Sequence, residues 1–249
     1  MDGGFIIVGY TLSYKQYLDM GLNLPVGYMI KTDFSGNRQW EKYYHHMFEA
    51  DSSMDGDLTS VIQTSDGGFI ACGRKLSSSG AGGYDVSLVR TDFLGNKQWE
   101  KNYGGSLHDS GQSVQHTSDG GFIIVGWTES YGAGQKDVYL IKTDSLGNKQ
   151  WDTTFGGNQT DVGEELQITA DGGFIIAGYT NSSGAGEGDV YLIKTDSLGN
   201  KQRESTIGGS LKDLGYSVCT SGNGEYIVAG FTYSFGAGKA DVYLIKYLR

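Results

Sequence analysis

Short runs of apolar, aromatic and β-branched residues, separated by clusters of Gly, Asp, Asn and Ser, follow one another along the whole chain. In one representative stretch the runs cover residues 112–117, 122–128, 138–143 and 149–155. No run keeps, over enough residues, the spacing of apolar positions that an amphipathic helix needs. Runs of this length and composition, bounded by turn-forming residues, predict four β-strands, which we name A to D in chain order.

Two turn sequences connect these strands. Asp-Gly-Gly between strands A and B favours a tight hairpin, because primed turns need residues with positive φ. Asp-Ser-Leu-Gly-Asn between strands C and D favours a type I turn closed by a left-handed glycine. Antiparallel order places these tight turns at one end of the group and the longer B–C and D–A loops at the other.

The four-strand group is repeated along the chain. The aromatic residue that opens strand B recurs as Phe5, Phe69, Phe122, Phe174 and Tyr226. Successive copies are separated by about 52 residues, except that the first step is longer. We expect a single domain, 1–249, made of units at about 1–65, 66–118, 119–170, 171–222 and 223–249.

Four antiparallel strands repeated in this way predict an all-β fold, a β-propeller with about five four-stranded blades. One blade cannot bury both of its faces, so neighbouring blades must pack around an axis. The pattern contains 18 strands, since the first blade lacks strand A and the last lacks strand D. A β-solenoid, which has shorter periods, and a β-sandwich, which has no reason to repeat its sequence, are the alternatives.

Two strings carry a resemblance to known proteins. They are Gly-Gly-Phe-Ile-Ile-Val-Gly from Gly120 and Asp-Val-Tyr-Leu-Ile-Lys-Thr-Asp-Ser-Leu-Gly-Asn-Lys-Gln-Trp from Asp137. They resemble the β-propeller repeat proteins of bacterial and archaeal secreted or cell-surface type. Asp144, Gly147 and Trp151 are more distantly similar to the residues that mark the C–D hairpin of tryptophan-docking, quinoprotein-like propellers. The resemblance implies an innermost strand A, an outermost strand D and an extracellular or cell-surface location, and it implies no catalytic residue.

The tryptophans of strand D are expected to pin that strand to the fold. They are Trp40, Trp99 and Trp151, and Arg203 takes their place in the fourth unit.

Charge and cysteine content exclude several classes of partner. The net charge is −10 and no basic face is visible, so we expect no nucleic-acid partner. The sequence contains no run of eighteen apolar residues, so we expect no membrane span. The first residues lack the basic segment of a signal peptide, so none is expected in this sequence. Cys72 and Cys219 have no metal-type spacing and are expected to be small core residues, while a bridge between them is left open.

The end with the longer loops is where a site is expected, because function concentrates in loops on a rigid scaffold. Two insertions of the first unit, at about 13–25 and 44–57, fall at this end. They predict a binding site that breaks the repeat symmetry, with Tyr14, Tyr17, His45 and His46 as its residues. We expect no metal there, because adjacent histidines on an extended chain point to opposite sides.

Two repeated sets of residues lie at the same end. The aromatic residues that follow the glycine of strand B could stack on sugars or peptides, although packing between blades explains them at least as well. They are Tyr10, Trp127, Tyr179 and Phe231. The second set consists of the aspartates before strand A, which are Asp109, Asp161 and Asp213. They could be ligands for a cation or a sugar, but the favoured interpretation is that they hold turns by accepting backbone N–H groups.

These observations predict a non-catalytic binding or scaffold module for a protein or carbohydrate ligand, without a cofactor, as a fragment of a longer repeat protein. Exposed strand edges of the incomplete terminal blades predict self-association. The alternative is a glycosidase-type or other propeller enzyme on the long-loop face, for which only Glu164 and Glu165 stand on an inner strand. A lectin with one pocket per blade is a third hypothesis.

Overall fold

The computed structural model describes residues 3–13, 25–44, 56–77, 83–221 and 224–247. All regular elements in these ranges are β-strands, 18 in total, as the pattern predicts. The chain divides into two compact units, Met1–Val114 and Gln115–Arg249. In the ranges described, no helix is long and apolar enough to cross a membrane.

The first two sheets are antiparallel and follow chain order. One contains β1 (Ile6–Thr11), β2 (Val26–Thr32) and β3 (Arg38–Tyr44). The other contains β4 (Gly56–Gln63), β5 (Phe69–Leu76), β6 (Tyr84–Thr91) and β7 (Lys97–Tyr103).

Three further sheets follow in the same order along the chain. The third contains β8 (Asp109–His116), β9 (Phe122–Thr128), β10 (Asp137–Thr143) and β11 (Lys149–Phe155). The fourth contains β12 (Asp161–Ile168), β13 (Phe174–Thr180), β14 (Asp189–Thr195) and β15 (Lys201–Ile207). The fifth contains β16 (Asp213–Thr220), β17 (Tyr226–Thr232) and β18 (Asp241–Tyr247).

These sheets are β-propeller blades. The three middle sheets have all four strands, the first sheet has strands B to D and the last has strands A to C. The C–D turn forms as expected, with a φ of 75° at Gly147. The A–B turn is not the primed turn that was expected: the Gly120 N–H donates to the Thr117 carbonyl, and the positive φ, 82°, falls on Gly120 after the two central residues. Strand A begins earlier than its sequence suggests, at Asp109 in the third blade, because residues 109–111 already belong to the ladder.

Consecutive blades of the second unit share their cores. Val138 and Leu140 of the third blade belong to one buried cluster with Phe174 and Ile176 of the fourth. In the first unit, Met29 of the first blade is buried in a cluster with residues of the second blade. This covering of one blade by the next is the packing that the repeat predicts.

The tryptophan of strand D docks on the following blade. The Trp151 ring lies 6.3 Å from the Phe174 ring, and a Cβ placed on Gly199 would lie 2.6 Å from the indole. Gly199 has a φ of 81°, so this glycine serves both the C–D turn and the indole contact. Arg203, which replaces the tryptophan in the fourth blade, stacks over the Tyr247 ring at 5.0 Å.

The two cysteines are free thiols in different surroundings. Cys72 is buried, as expected for a core residue, and its pKa is raised by burial to about 12. Cys219 is exposed, so its prediction as a core residue is wrong. The reason is the strand alternation, since the neighbouring Val218 takes the buried side of β16.

Candidate functional site

The inner strands β4, β12 and β16 each contain a β-bulge. In β12, Gly163 and Glu165 face consecutive residues of β13, which leaves Glu164 as the extra residue. The same shift occurs in β4 and β16. The residues left unpaired are Thr59, Glu164 and Tyr216. A bulge changes the direction of the extra residue's side chain, so these three side chains do not follow the regular alternation of the strand.

The bulge is also where the repeated units differ in chemistry. In β12 and β16 the residue before the bulge is a glycine, and packing fixes it in β12, because a Cβ on Gly163 would lie 2.6 Å from the Val125 side chain. The bulge residue itself changes from Thr to Glu to Tyr between blades with the same backbone. A site that needs an asymmetric set of side chains can therefore be built here without disturbing the scaffold.

In the second unit the bulge brings a carboxylic acid close to two tyrosines. Glu164 is half-buried, and this burial raises its pKa. Burial and then the charge of Glu164 raise the pKa of both Tyr179 and Tyr216. Because the Glu164 charge reaches both phenols, the three side chains lie in one region, where β16 packs against β12 and β13 near the long-loop end of these strands.

A chain of aromatic rings continues from Tyr216. Its ring centroid lies 5.7 Å from that of Phe231, and Phe231 lies 5.5 Å from Tyr233 at 90°. Tyr216 and Tyr233 are 46% and 42% exposed, so their rings are open to solvent. We call the set Glu164, Tyr179, Tyr216, Phe231 and Tyr233 the acid–aromatic surface.

Glu165, the neighbour of Glu164, has a structural contact. Its Oε2 accepts the N–H of Val218 at 3.0 Å and so links β12 to β16. In the first unit, Ser60 has the corresponding place and accepts the N–H of Val114 at 3.3 Å. The residue after the bulge thus joins successive inner strands. Because the Glu165 carboxylate is engaged in this structural contact, we do not assign it as a second acid–base group beside Glu164.

The repeated aspartates Asp109, Asp161 and Asp213 are fully buried and hold the D–A loops. They accept the N–H groups of Gly105, Gly157 and Gly209 at 2.9, 2.8 and 2.7 Å. Asp161 and Asp213 also accept the hydroxyl groups of Ser182 and Ser234, at 2.6 and 2.7 Å. These contacts are those of residues that fix loops on the scaffold.

A second carboxylate faces Asp161. A Cβ on Gly156 would lie 2.4 Å from Asp137 Oδ1 and 2.6 Å from Asp161 Oδ2. Burial raises the pKa of Asp137, and the charge of Asp161 adds to that increase. Asp161 Oδ1 is buried without a hydrogen-bond partner. In the part of the chain that the structure describes, no three His, Cys, Asp or Glu side chains are grouped so as to hold a metal ion.

The structure brings together two of the four predicted aromatic residues, Tyr179 and Phe231. Trp127 is buried beneath Lys136, whose Nζ lies 3.6 Å from the ring centroid, so its indole is committed to packing. Tyr10 is exposed on β1 of the first unit. Tyr14, Tyr17, His45 and His46, which were to form the site of the first blade, lie outside the described residues.

Sequence reasoning missed Tyr216 and Tyr233 and treated Glu164 only as weak evidence for an enzyme. The signal that could have found Tyr216 and Glu164 is the mismatch between the units at the bulge position. That signal was hidden because the bulge cannot be placed from the sequence, where the two residues look like ordinary members of a strand.

Comparisons with known proteins give one relative of low sequence identity and several structures of similar fold. No family model matches the chain. The regulatory protein FlaEY of Caulobacter vibrioides is 24% identical over 200 residues, and the match covers 71% of this chain and 20% of that protein. This chain therefore spans about a fifth of that relative's length.

Solved structures similar to this chain include two proteins, each 12% identical to it. Endo-arabinase from Bacteroides thetaiotaomicron has a TM-score of 0.47, with 100% of this chain and 95% of that chain covered. Sqt1 from Chaetomium thermophilum has a TM-score of 0.44, with 96% and 57% covered.

Proposed function

We propose that this β-propeller chain is a non-catalytic binding module that takes a carbohydrate on its acid–aromatic surface. The observation that carries the proposal is the open row of rings from Tyr216 to Tyr233 beside the half-buried Glu164 carboxyl. The extracellular or cell-surface location expected from the resemblance forms part of this proposal.

Aromatic rings fixed on a rigid scaffold suit sugars because a ring offers a large contact area and loses little conformational entropy. Tyr216 and Phe231 lie on neighbouring strands of one blade, and the ladder pairs Gly215 and Ser217 on either side of Tyr216, which holds the two rings near each other. The phenol groups of Tyr216 and Tyr233 add hydrogen-bonding atoms at the rim of the apolar rings. An extended chain of sugar residues could follow this row of rings.

Glu164 supplies the directional contact. An ionised carboxylate accepts hydrogen bonds only, which matches the hydroxyl donors of a sugar. The acidic balance of the protein, with a net charge of −10, disfavours polyanionic glycans. The proposed ligands are therefore neutral or amino sugars.

Binding is tested by calorimetry with neutral and amino-sugar oligosaccharides, namely xylan, arabinan, cellulose and chitosan fragments. Tyr216→Ala is expected to weaken binding of the best ligand about tenfold, a loss of about 1.4 kcal/mol. Tyr131→Ala is the matched control, because Tyr131 is similarly exposed, at 43%, but lies outside the surface. Equal affinity of wild type and Tyr216→Ala, or an equal loss in Tyr131→Ala, would refute the proposed site.

The pH dependence of binding tests the role of Glu164 separately. The pKa of its carboxyl is raised by burial, so the ionised form is lost earlier than usual as the pH falls. We expect affinity to be constant near neutral pH and to fall through this raised pKa on acidification. Glu164→Gln should bind more weakly at neutral pH and show no such fall, whereas the same acid profile in both proteins would remove Glu164 from the site.

The raised pKa of Glu164 also favours one alternative, a glycosidase in which this residue is the general acid. Such an enzyme needs a second carboxylate about 5–10 Å away, on the other side of the sugar. The same oligosaccharides, analysed for cleavage products over a day, separate the two functions. Hydrolysis by wild type that Glu164→Gln abolishes would establish the enzyme instead of the binding module.

A further inference from the structure

Three glycines bring the polar part of the acid–aromatic surface together in the second unit. Gly163 pairs with Gly178 in the ladder of the fourth blade, and a Cβ on Gly215 of the fifth blade would lie 3.0 Å from the Gly178 carbonyl oxygen. The residues that follow these glycines along the chain are Glu164, Tyr179 and Tyr216. One carboxyl group and two phenol rings are therefore attached around a single close contact between backbones.

Glu164 is the group of this cluster that lacks a partner. In the described part of the second unit, its carboxyl has neither a hydrogen bond nor an ion pair, and burial is what raises its pKa. Glu225, which is also half-buried, pairs with Lys246 at 2.7 Å. A half-buried carboxylate without such a partner favours a ligand that supplies the positive charge.

The third blade already holds an ammonium group at the corresponding place. Lys136 Nζ lies 3.6 Å from the centroid of the Trp127 ring and 3.8 Å from a carboxylate oxygen of Glu129. Trp127 has the position on strand B that Tyr179 has in the fourth blade. An aromatic face and a carboxylate therefore hold a primary ammonium together in this fold.

The fourth blade keeps the ring but lacks the ammonium group. Gly188 has the position of Lys136, because each precedes strand C and each forms a parallel bridge to the D–A loop that follows its blade. Among the described residues, no Lys or Arg side chain stacks over the Tyr179 ring. The protein thus supplies the cation itself in one blade and does not supply it in the next.

We propose that the acid–aromatic surface takes the protonated primary amine of an amino sugar, held between the Glu164 carboxylate and the Tyr179 and Tyr216 rings. This inference rests on the proposed carbohydrate binding and narrows its ligands to the amino sugars. The faces of the two rings attract an ammonium group, and the net charge of −10 attracts a cationic chain from a distance. The rings of Phe231 and Tyr233 continue the surface for neighbouring pyranose rings, which favours an oligosaccharide over a cationic peptide.

The first test compares two ligands by calorimetry near neutral pH, the hexamer of glucosamine and the hexamer of N-acetylglucosamine. Acetylation keeps the pyranose chain and removes the charge. We expect wild type to bind the glucosamine hexamer about tenfold more tightly. Glu164→Gln should abolish this preference, and Glu204→Gln, which removes an equal charge from the outer strand of the same blade, should keep it. Equal affinity of wild type for the two hexamers would overturn the inference.

The same measurements separate this inference from the proposed function. If both hexamers bind wild type equally and Tyr216→Ala weakens both, the carbohydrate site stands and the ammonium contact is wrong. If no oligosaccharide binds, the carbohydrate site itself fails. Tighter binding of hexalysine than of the glucosamine hexamer would replace the amino sugar by a cationic peptide and contradict the inference.

The second test supplies the ammonium group from the protein. Gly188→Lys restores in the fourth blade the residue that covers Trp127 in the third, and Gly188→Gln is its uncharged control. The nearest contact of the new Cβ, 3.1 Å from Asn181 Oδ1, is the same in both variants. We expect Gly188→Lys to bind the glucosamine hexamer about tenfold more weakly and Gly188→Gln to bind it like wild type. Unchanged affinity in Gly188→Lys, or an equal loss in both variants, would contradict an ammonium site at Tyr179.

Discussion

Gly178→Ala is expected to destabilise the fourth blade severely. The Cβ of an alanine at this position would lie 1.8 Å from the carbonyl oxygen of Val162, which belongs to the backbone of the adjacent strand. Because the ladder fixes that oxygen, β12 and β13 must separate next to the bulge. Overpacking of a rigid interior costs about 1–3 kcal/mol, and a clash with backbone should reach the upper end. Urea unfolding followed by circular dichroism measures the loss.

Gly9 is the matched control, since it has the same place on strand B of the first blade. Among the described residues, no atom apart from its chain neighbours lies within 4 Å of the Cβ that Gly9→Ala would introduce. We expect no loss of stability, and a gain of up to about 0.5–1 kcal/mol from lower chain entropy in the unfolded state. If both variants lost the same free energy of unfolding, the close approach of strands A and B would not be what fixes glycine at this position.

Asp161→Ala is the second substitution with a large expected effect. It removes the acceptor for the Gly157 N–H and the Ser182 hydroxyl, so both donors lose a hydrogen bond inside the loop end. An orphaned buried donor costs about 1–3 kcal/mol, and since Gly157 and Ser182 are only half-buried, the pair should cost about 2–3 kcal/mol. The free energy of unfolding and amide exchange in residues 156–160 and 181–188 measure the effect.

Asp161→Asn separates the acceptor from the charge. The amide oxygen can still accept from Gly157 and Ser182, and loss of the charge removes one of the causes that raise the pKa of Asp137. Since a raised carboxyl pKa means that ionisation of Asp137 costs stability above that pKa, the substitution reduces this cost at neutral pH. We expect a loss of less than about 1 kcal/mol, well below that of Asp161→Ala. An equally large loss in both variants would show that the negative charge itself is required.

The fold could be predicted from the sequence because each blade repeats the same strands and turns. Strand B at 122–128 and strand D at 149–155 have the predicted bounds, since the turn-forming residues Gly121, Asn148 and Gly156 mark three of their four ends. Strand A was predicted too short because Asp109 and its neighbours look like turn residues, although they are buried at the start of the ladder. Cys219 shows the same limit, because its side of β16 depends on a register that a bulge shifts.

The candidate site was only partly predictable. The preference for the long-loop end led to Tyr179 and Phe231, which belong to the acid–aromatic surface. The same rule also selected Trp127, which Lys136 covers in the fold. Tyr216 and Glu164 could not be identified because their significance depends on two bulges and on the packing of neighbouring inner strands.

We propose that the uniform scaffold carries its binding site where the bulge residues differ. The most direct measurement is a titration of the ¹⁵N-labelled protein with the oligosaccharide that binds best, followed by backbone amide shifts. We predict the largest shifts at Glu164, Tyr179, Tyr216 and Phe231, with little change at Trp127. Shifts concentrated in residues 13–25 and 44–57 of the first unit would instead contradict the account and place the site in the two insertions.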